Sequence, residues 1–433
     1  MGMILAPQFI GMMGGAAATS YSYALFTWGT GTGGATGHGD TTHRSVPVQV
    51  GVQVDWTGNI ACVYQGMLAI KSNGTLWAWG KGNVGQLGLG NSTAYSSPMQ
   101  VGNDSNWAKV KGGSQFTIAT KTDGTLWGWG DGAEGATGHG NTTDYNSPVQ
   151  IGELTDWSDI SAANNRTCVA IKTDGTLWAW GKNDNGQIGD GSAIGRKSPV
   201  QVGDLTTWSK AVTEGELTLA INTSGELFAW GINNRGQHGQ GDTTARSSPV
   251  KVGSLTTWAE CHSHGSSTYG RGFGIKTDGT LWGWGDGYAG ALGLGNQTDY
   301  SSPVQVGSLT DWSKFPIDAE LSTAMSVIKT DGTMWTWGNG LVGSLGLGNT
   351  TKYSSPVQIG SGDDWSSRSM GGYQQAGLRK INNNAGYALW TWGLGTSGSG
   401  GHGNTTTYSS PVIVGTLNEW SMIAGNYNAC HGI

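Results

Sequence analysis

The strongest metal-like cluster in the chain is the run Cys261-His262-Ser263-His264, and Cys430-His431 is a second. Zinc needs three or four such ligands converging on one point. Neighbours on an extended strand point to opposite faces, so these runs are expected to separate their side chains rather than gather them. Three further histidines, His38, His139 and His402, hold equivalent places in a glycine-rich segment where other copies carry Leu89, Leu294 or Leu347. A place that exchanges His for Leu reads as a packing position. The glycine runs around them, GATGHGD and GATGHGN, lack the strand-to-helix setting of a phosphate cradle. No nucleophile stands in a pattern with a base. The expectation is a non-enzymatic protein with no cofactor and no bound metal. Four cysteines, Cys62, Cys168, Cys261 and Cys430, are too few among 433 residues for a disulfide framework and read as free buried thiols.

These residues ride on a repeat. A hairpin motif such as KTDGTLWGWG (121–130) recurs, and its second tryptophan falls at Trp28, Trp79, Trp129, Trp180, Trp230, Trp284, Trp337 and Trp392, in steps of 51, 50, 51, 50, 54, 53 and 55. A proline in SPVQVG and its variants (Pro47, Pro98, Pro148, Pro199, Pro249, Pro303, Pro356, Pro411) repeats the same seven steps. A lone tryptophan follows each proline, at 56, 107, 157, 208, 258, 312, 365 and 420, and these eight with the fourteen tryptophans of the hairpins account for all 22. Phe26 and Phe228 fill the two hairpin places without one. The repeat is nearly the whole chain.

One unit, Trp107 to Gly152, predicts four short strands: A around KVKGG, B FTIATK, C TLWGWG and D PVQIG. Asp123-Gly124 supplies the tight turn from B to C. Along strand C, Leu126 and Gly128 face one way, Trp127 and Trp129 the other. Proline opening strand D suits an outer edge, which puts A innermost. Four antiparallel strands in about 50 residues make a β-propeller blade. The paired tryptophans are expected to seal blade against blade: Trp77 and Trp79, Trp127 and Trp129, Trp178 and Trp180, Trp282 and Trp284, Trp335 and Trp337, Trp390 and Trp392. On that footing Trp127→Ala is expected to cost about 3–5 kcal/mol.

The ends close the ring. WSMIAGNYNACHGI supplies strands A and B, and YALFTWG with SVPVQV supplies C and D. The fold class is therefore all-β, a closed propeller of eight blades by repeat count, seven as the alternative, with one blade completed by both ends. Residues 21–433 form this domain. Residues 1–20 stand outside it as an apolar arm for docking or assembly, with packing on its own propeller as the alternative. No Lys or Arg precedes Arg44, so the arm lacks the positive start of a secretory signal. A net charge of −6 without a basic run argues against nucleic acid. No apolar run reaches the ~18 residues of a transmembrane helix.

The unit AIKTDGTLWAWGKNDNGQIGDG, with NVGQLGLGN at 83–91 and VGSLGLGN at 342–349, closely resembles the regulator of chromosome condensation repeat. The resemblance covers about residues 21–433 and implies a propeller, usually seven-bladed. The founding eukaryotic member of that family is an exchange factor for a small nuclear GTPase, docks on chromatin and uses an inserted wedge. Another relative is a bacterial inhibitor of β-lactamases that binds by one face of the ring. Similar repeats also look to be used in bacterial surface and tailed-phage structural proteins. Here no repeat step exceeds 55 residues, which leaves no room for a large insertion, and there is no basic tail.

Uniform B–C turns contrast with varied A–B segments, among them NNRT, HGSSTYGRG, YQQA and NYNA. Varied loops on a rigid scaffold are where binding surfaces are built. The candidate binding residues are Tyr269, Arg271, Arg166, Tyr373 and Tyr427. The first functional reading is a structural or recognition platform at a virion or cell surface, such as a phage capsid- or tail-associated attachment protein. Its partners would be other structural proteins, met through the arm, and a host receptor or glycan. The alternative is a soluble, cytoplasmic protein-binding regulator or inhibitor that uses one face of the propeller.

Overall fold

The third repeat shows how alternation becomes a blade. Its strands are Trp107–Gly112, Phe116–Lys121, Leu126–Gly130 and Tyr145–Gln150, in the order D-C-B-A from the edge inward. Leu126 packs with Trp157, Ile160 and Trp180 of the following blade, while Trp107 and Trp129 pack with Leu68, Ile70 and Leu76 of the preceding one. Two boundaries differ from expectation. Strand A starts at the lone tryptophan itself. Strand D starts at Tyr145, so Pro148 lies inside it, where the register slips between Gly128 and Gly130. A bulge on an edge strand asks no ladder hydrogen bond of a residue that has no N–H to give.

This computed structural model describes residues 2–7, 23–264, 269–315, 319–320, 324–371, 373–380, 386–417, 420 and 422–425. Among the described residues the strands group into seven sheets. Six hold one blade each. The seventh has eight strands and joins two four-stranded units through the single pair Tyr23↔Trp56. Counted as sheets the ring has seven members, the alternative left open above, and the double sheet makes eight four-stranded units. Blades are numbered here by those units, in the order of their strands C, so Trp28 is in blade one and Trp392 in blade eight.

The second tryptophan of each hairpin is the inter-blade bolt. Trp129 is 0% exposed, and its Nε1 donates to the Gln86 carbonyl of blade two at 3.0 Å. The same bond runs from Trp79 to Ala35, Trp180 to Ala136, Trp230 to Gln187, Trp284 to Gln237, Trp337 to Ala291, Trp392 to Ser344 and Trp28 to Ser399. The last of these links blades eight and one, so the circuit closes. Gly88 shows why the loop between strands C and D is glycine-rich: its φ is +75°, and a Cβ there would lie 2.9 Å from Trp129 Nε1.

The first tryptophan of each pair does something else. Trp127 is half-buried and donates to Thr125 Oγ1 at 2.8 Å, and Thr125 donates in turn to Asp123 Oδ1 at 2.7 Å. Lys121 Nζ lies 3.6 Å from the Trp127 ring centre and pairs with Asp104 at 2.8 Å. Equivalent cations, Lys71, Lys172, Lys276, Lys329 and Arg379, sit over Trp77, Trp178, Trp282, Trp335 and Trp390. Trp77, Trp127, Trp178, Trp282, Trp335 and Trp390 thus belong to a capped outer cluster, and the sealing role expected of both tryptophans falls chiefly to the second. Blade five replaces the polar part of the cluster: the Phe228 side chain has no N–H to donate, and Asn222 instead donates to Glu226 at 2.7 Å, which pairs with Lys251 at 2.6 Å.

The closing blade departs from expectation at its second place. Gly2–Pro7 pairs with Tyr23–Gly29, from Gly2↔Trp28 to Pro7↔Tyr23, and on its other side with Met422–Gly425. Residues 2–7 therefore stand in the sheet as strand B, rather than apart from the propeller, while 426–433 lie outside the described residues. The run GMILAP is apolar and carries no charge, which suits a strand bonded on both sides. A second irregularity joins blades seven and eight, where Ala319–Glu320 pairs in parallel with Met370 and Gly371. Among the described residues no helix is long and apolar enough to cross a membrane.

One packing position yields a pH prediction. Leu87, Ile188, Leu292 and Leu345 fill equivalent buried places in the C–D loops, and blade five puts His238 there, 0% exposed. Burial, with the charge of Arg246 adding, lowers its pKa to about 4. Its folded pKa lies below the ordinary ~6.5, so the unfolded chain binds the extra proton first. Stability from this site is complete above about pH 6.5 and is lost as pH falls towards 4, on the order of 3 kcal/mol in all. His238→Leu should flatten that part of the acid limb in urea titrations across this range. An unchanged pH slope in the variant would refute the assignment.

Candidate protein-binding face

The A–B and C–D loops emerge together at one end of the ring, and the structure sorts the sequence candidates there. Arg271 is corrected outright. It opens strand B opposite Gly285, is 1% exposed, and donates to the Asp286 carbonyl at 2.9 Å and to Asp286 Oδ2 at 2.7 Å. Gly285 has no side chain to fill the space, so the guanidinium lies under the C–D loop and needs an anion there. It is a buried strut, not a contact residue. Arg166 is on the face, at φ +71°, but its Nε and Nη2 both donate to Oδ2 of Asp131 in blade three, at 3.0 and 2.6 Å. It clamps blade four to its neighbour.

Other varied loops carry private pairings of the same kind. Glu216 accepts from Lys182 at 2.9 Å and from Asn185 at 2.7 Å across the blade four–five junction, and its hydrogen bond is the first cause that raises the Lys182 pKa. Lys81 Nζ sits 4.6 Å from the Tyr64 ring centre. Part of the loop variation is thus structural: the three–four and four–five junctions are tied by different residues, and blade two pairs two of its own loops.

Tyr269 remains as an exposed candidate, 43% accessible. Its ring lies 5.9 Å from that of Tyr288, itself 48% exposed, and Lys352 Nζ of blade seven stands 5.3 Å from the Tyr288 ring centre. Tyr288 and Lys352 were missed because C–D loops read as glycine scaffold. The available signal was that the place of Tyr288 varies freely, as Thr32, Asn83, Ala133, Asp184, Asn234, Leu341 and Thr396. Tyr373 is 39% exposed and Leu341 49%, so exposed apolar side chains mark the loops of blades six, seven and eight in turn. Ile194 adds an exposed side chain in blade four. Tyr427 lies outside the described residues. Such amphipathic aromatics, two torsions each and little entropy to lose, are the usual anchors of protein interfaces.

The metal-like run is pulled apart as strand geometry requires. Cys261 packs into the core shared with blade five, its thiol pushed up to about 12 by burial, while His262 stacks on Phe315 at 5.5 Å on the other side. Burial lowers the His262 pKa to about 4, so the imidazole is neutral. The His264 side chain and Cys430-His431 lie outside the described residues. Among the described residues no three His, Cys, Asp or Glu are grouped to hold a metal ion. Cys168 and Cys261 are free thiols, both buried.

Comparison with known proteins follows the repeat. Six segments, 73–120, 123–170, 174–221, 224–269, 278–316 and 331–376, match the regulator of chromosome condensation (RCC1) repeat. The ultraviolet-B receptor UVR8 of Arabidopsis thaliana is 29% identical over 466 residues, covering 93% of this chain and 81% of its own length. The E3 ubiquitin-protein ligase HERC2 of Homo sapiens is 27% identical over 197 residues, which are 44% of this chain but 4% of the ligase. Human protein RCC2 is 35% identical over 97 residues, 22% of this chain and 19% of that one. Among solved structures, human WBSCR16 superposes with a TM-score of 0.62 at 18% identity, over 78% of this chain and 95% of that one. Yeast RCC1 (Prp20), bound to Kap60, gives 0.62 at 16% identity, over 84% and 90%. These structures share the fold. On the strength of repeats that match most of its length, the chain belongs to the regulator of chromosome condensation (RCC1) repeat family.

Proposed function

We propose that this propeller is a non-catalytic, protein-binding regulator that receives its partner on the loop face of blades six to eight. The carrying observation is the exposed Tyr269–Tyr288 pair with Lys352 at its edge, drawn from three loops and two blades. The relatives favour this reading over a virion or host-attachment component. One solved relative, yeast Prp20p, is described by its binding to Gsp1p and histones. Cys168 and Cys261, buried free thiols among the described residues, suit a reducing compartment and support an intracellular reading.

The test is a Tyr269→Ala/Tyr288→Ala double variant, with Leu205→Ser/Leu255→Ser as a control on the opposite face, where both leucines are more than a third exposed. A partner that co-purifies stoichiometrically with the wild type should bind the tyrosine variant roughly 30-fold or more weakly, the loss of about 2 kcal/mol expected of hot-spot truncation. Thermal unfolding should not move. A partner that binds the tyrosine variant normally and fails on the control would put the docking surface on the other face.

A further inference from the structure

The capped outer clusters share one rule, and blade six breaks it. In five blades the cation at the end of strand B stands over an indole and meets an Asp from the link between strands D and A. Lys71 pairs with Asp55 at 3.3 Å, Lys121 with Asp104 at 2.8 Å, Lys172 with Asp156 at 3.5 Å, Lys329 with Asp311 at 3.3 Å and Arg379 with Asp364 at 2.5 Å. Four of these acids directly precede the lone tryptophan, and Asp104 stands three residues before it. Blade five has Asn222 in the place of the cation and needs no acid, and Thr207 precedes its tryptophan. Blade six keeps the cation, Lys276, but has Thr257 and Leu255 at the two acid places.

Lys276 is 7% exposed, and its Nζ lies 3.5 Å from the Trp282 ring centre and 5.3 Å from that of Trp258. Among the described residues that Nζ has no ion pair and no hydrogen bond. Burial lowers the Lys276 pKa, and the influence opposing it is Asp278 in the adjoining turn. Asp278 is exposed, and the paired blades carry its counterparts Asp123, Asp174 and Asp331 as well as their own link acids. It is therefore no substitute for the missing partner. An indole face offsets only part of what a buried ammonium loses on leaving water, and a carboxylate supplies the rest elsewhere in the ring. The Nζ is not sealed from solvent, so a ligand can reach it.

We propose that Lys276 is a binding site for a carboxylate, which takes the place that an Asp side chain fills in the five paired blades. A single cation selects a singly charged ligand, and the Asp278 charge beside it repels a dianion such as phosphate. Thr257 is exposed, so the place is open from the face that carries the B–C turns. That face is opposite the Tyr269 and Tyr288 loops, so this site is separate from the proposed protein contact. A free small acid and an acidic side chain of a bound peptide offer the same chemistry.

The full chain, with isotope-labelled lysine, would be titrated by NMR at constant ionic strength with acetate, with inorganic phosphate, and with the blocked peptides Ac-Leu-Thr-Asp-NH2 and Ac-Leu-Thr-Asn-NH2. The first peptide copies residues 309–311. Lys276→Asn, the blade five arrangement, assigns the Lys276 Cε signal. That signal should shift saturably with acetate or the Asp peptide, while those of Lys71, Lys121, Lys172 and Lys329 stay in place. Thr257→Asp, which supplies the acid that blade seven has, should weaken this binding at least about tenfold, the loss of one charge-assisted hydrogen bond. Both substitutions copy other blades and should leave the fold intact. A peptide that binds at least about tenfold tighter than acetate would identify an acidic side chain as the occupant, and any smaller ratio a free small acid. No saturable shift with either carboxylate, an equal shift at the paired lysines, an equal response to phosphate or the Asn peptide, or undiminished binding in Thr257→Asp would each overturn the proposal.

Discussion

Trp129→Ala should destabilise the propeller by about 3–5 kcal/mol, the range for deleting a large buried aromatic. Trp127→Ala, two residues earlier on the same face of the same strand, should cost less, roughly 0.5–3 kcal/mol. The difference follows from their surroundings. Trp129 is 0% exposed and donates to a carbonyl of the neighbouring blade, so its removal would lose that bond and leave a cavity between the blades. Trp127 is half-buried beneath the Lys121 ammonium, which can move in over the gap. The full cost expected for Trp127 from pattern alone therefore passes to Trp129. Urea unfolding followed by circular dichroism measures both variants. Equal losses, or a larger loss at Trp127, would refute the division between an inner bolt and an outer capped cluster.

The second large effect is at Arg271. Removing it with Arg271→Ala strands the Asp286 carboxylate, 3% exposed, and should cost about 3–5 kcal/mol. Asp286→Ala should cost a similar amount by stranding the guanidinium. The double variant Arg271→Met/Asp286→Asn should be more stable than either single alanine, because no uncompensated charge stays behind. Strictly additive losses would argue against a coupled buried pair. Weaker partner binding with an unmoved unfolding midpoint would return Arg271 to the role of a surface contact.

The contrast between these sites shows what a repeat reveals. The period of about 50 residues, the alternation of Leu126 and Gly128 against Trp127 and Trp129, and the Asp123-Gly124 turn are local signals, and each survives in the structure. The Gly124 turn is doubly determined: its φ is +79°, and a Cβ would meet the Thr155 carbonyl at 2.0 Å. The exchange of His for Leu at position 38, 139 and 402 marked packing sites, and the imidazoles are indeed partly buried in loop–strand junctions. The binding face was less legible. Arg271 and Tyr269 sit two residues apart in one varied loop, yet one is a buried ion-pair partner and the other an exposed ring.

By itself the sequence determined the blade, its four strands, the face each strand C residue takes and the family the chain belongs to. Those depend on dihedral preference and on a period of two along a strand, both carried by neighbouring residues. Tertiary structure decided which tryptophan bolts blades together, which strand fills the second place of the closing blade, and which loop residues stay in solvent. Each of these depends on what stands opposite after the ring closes: Asp286 beneath Arg271, Tyr288 beside Tyr269, Gln86 against Trp129. A one-dimensional period fixes the register within a blade, but pairings between blades arise only where two loops of different sequence meet in space.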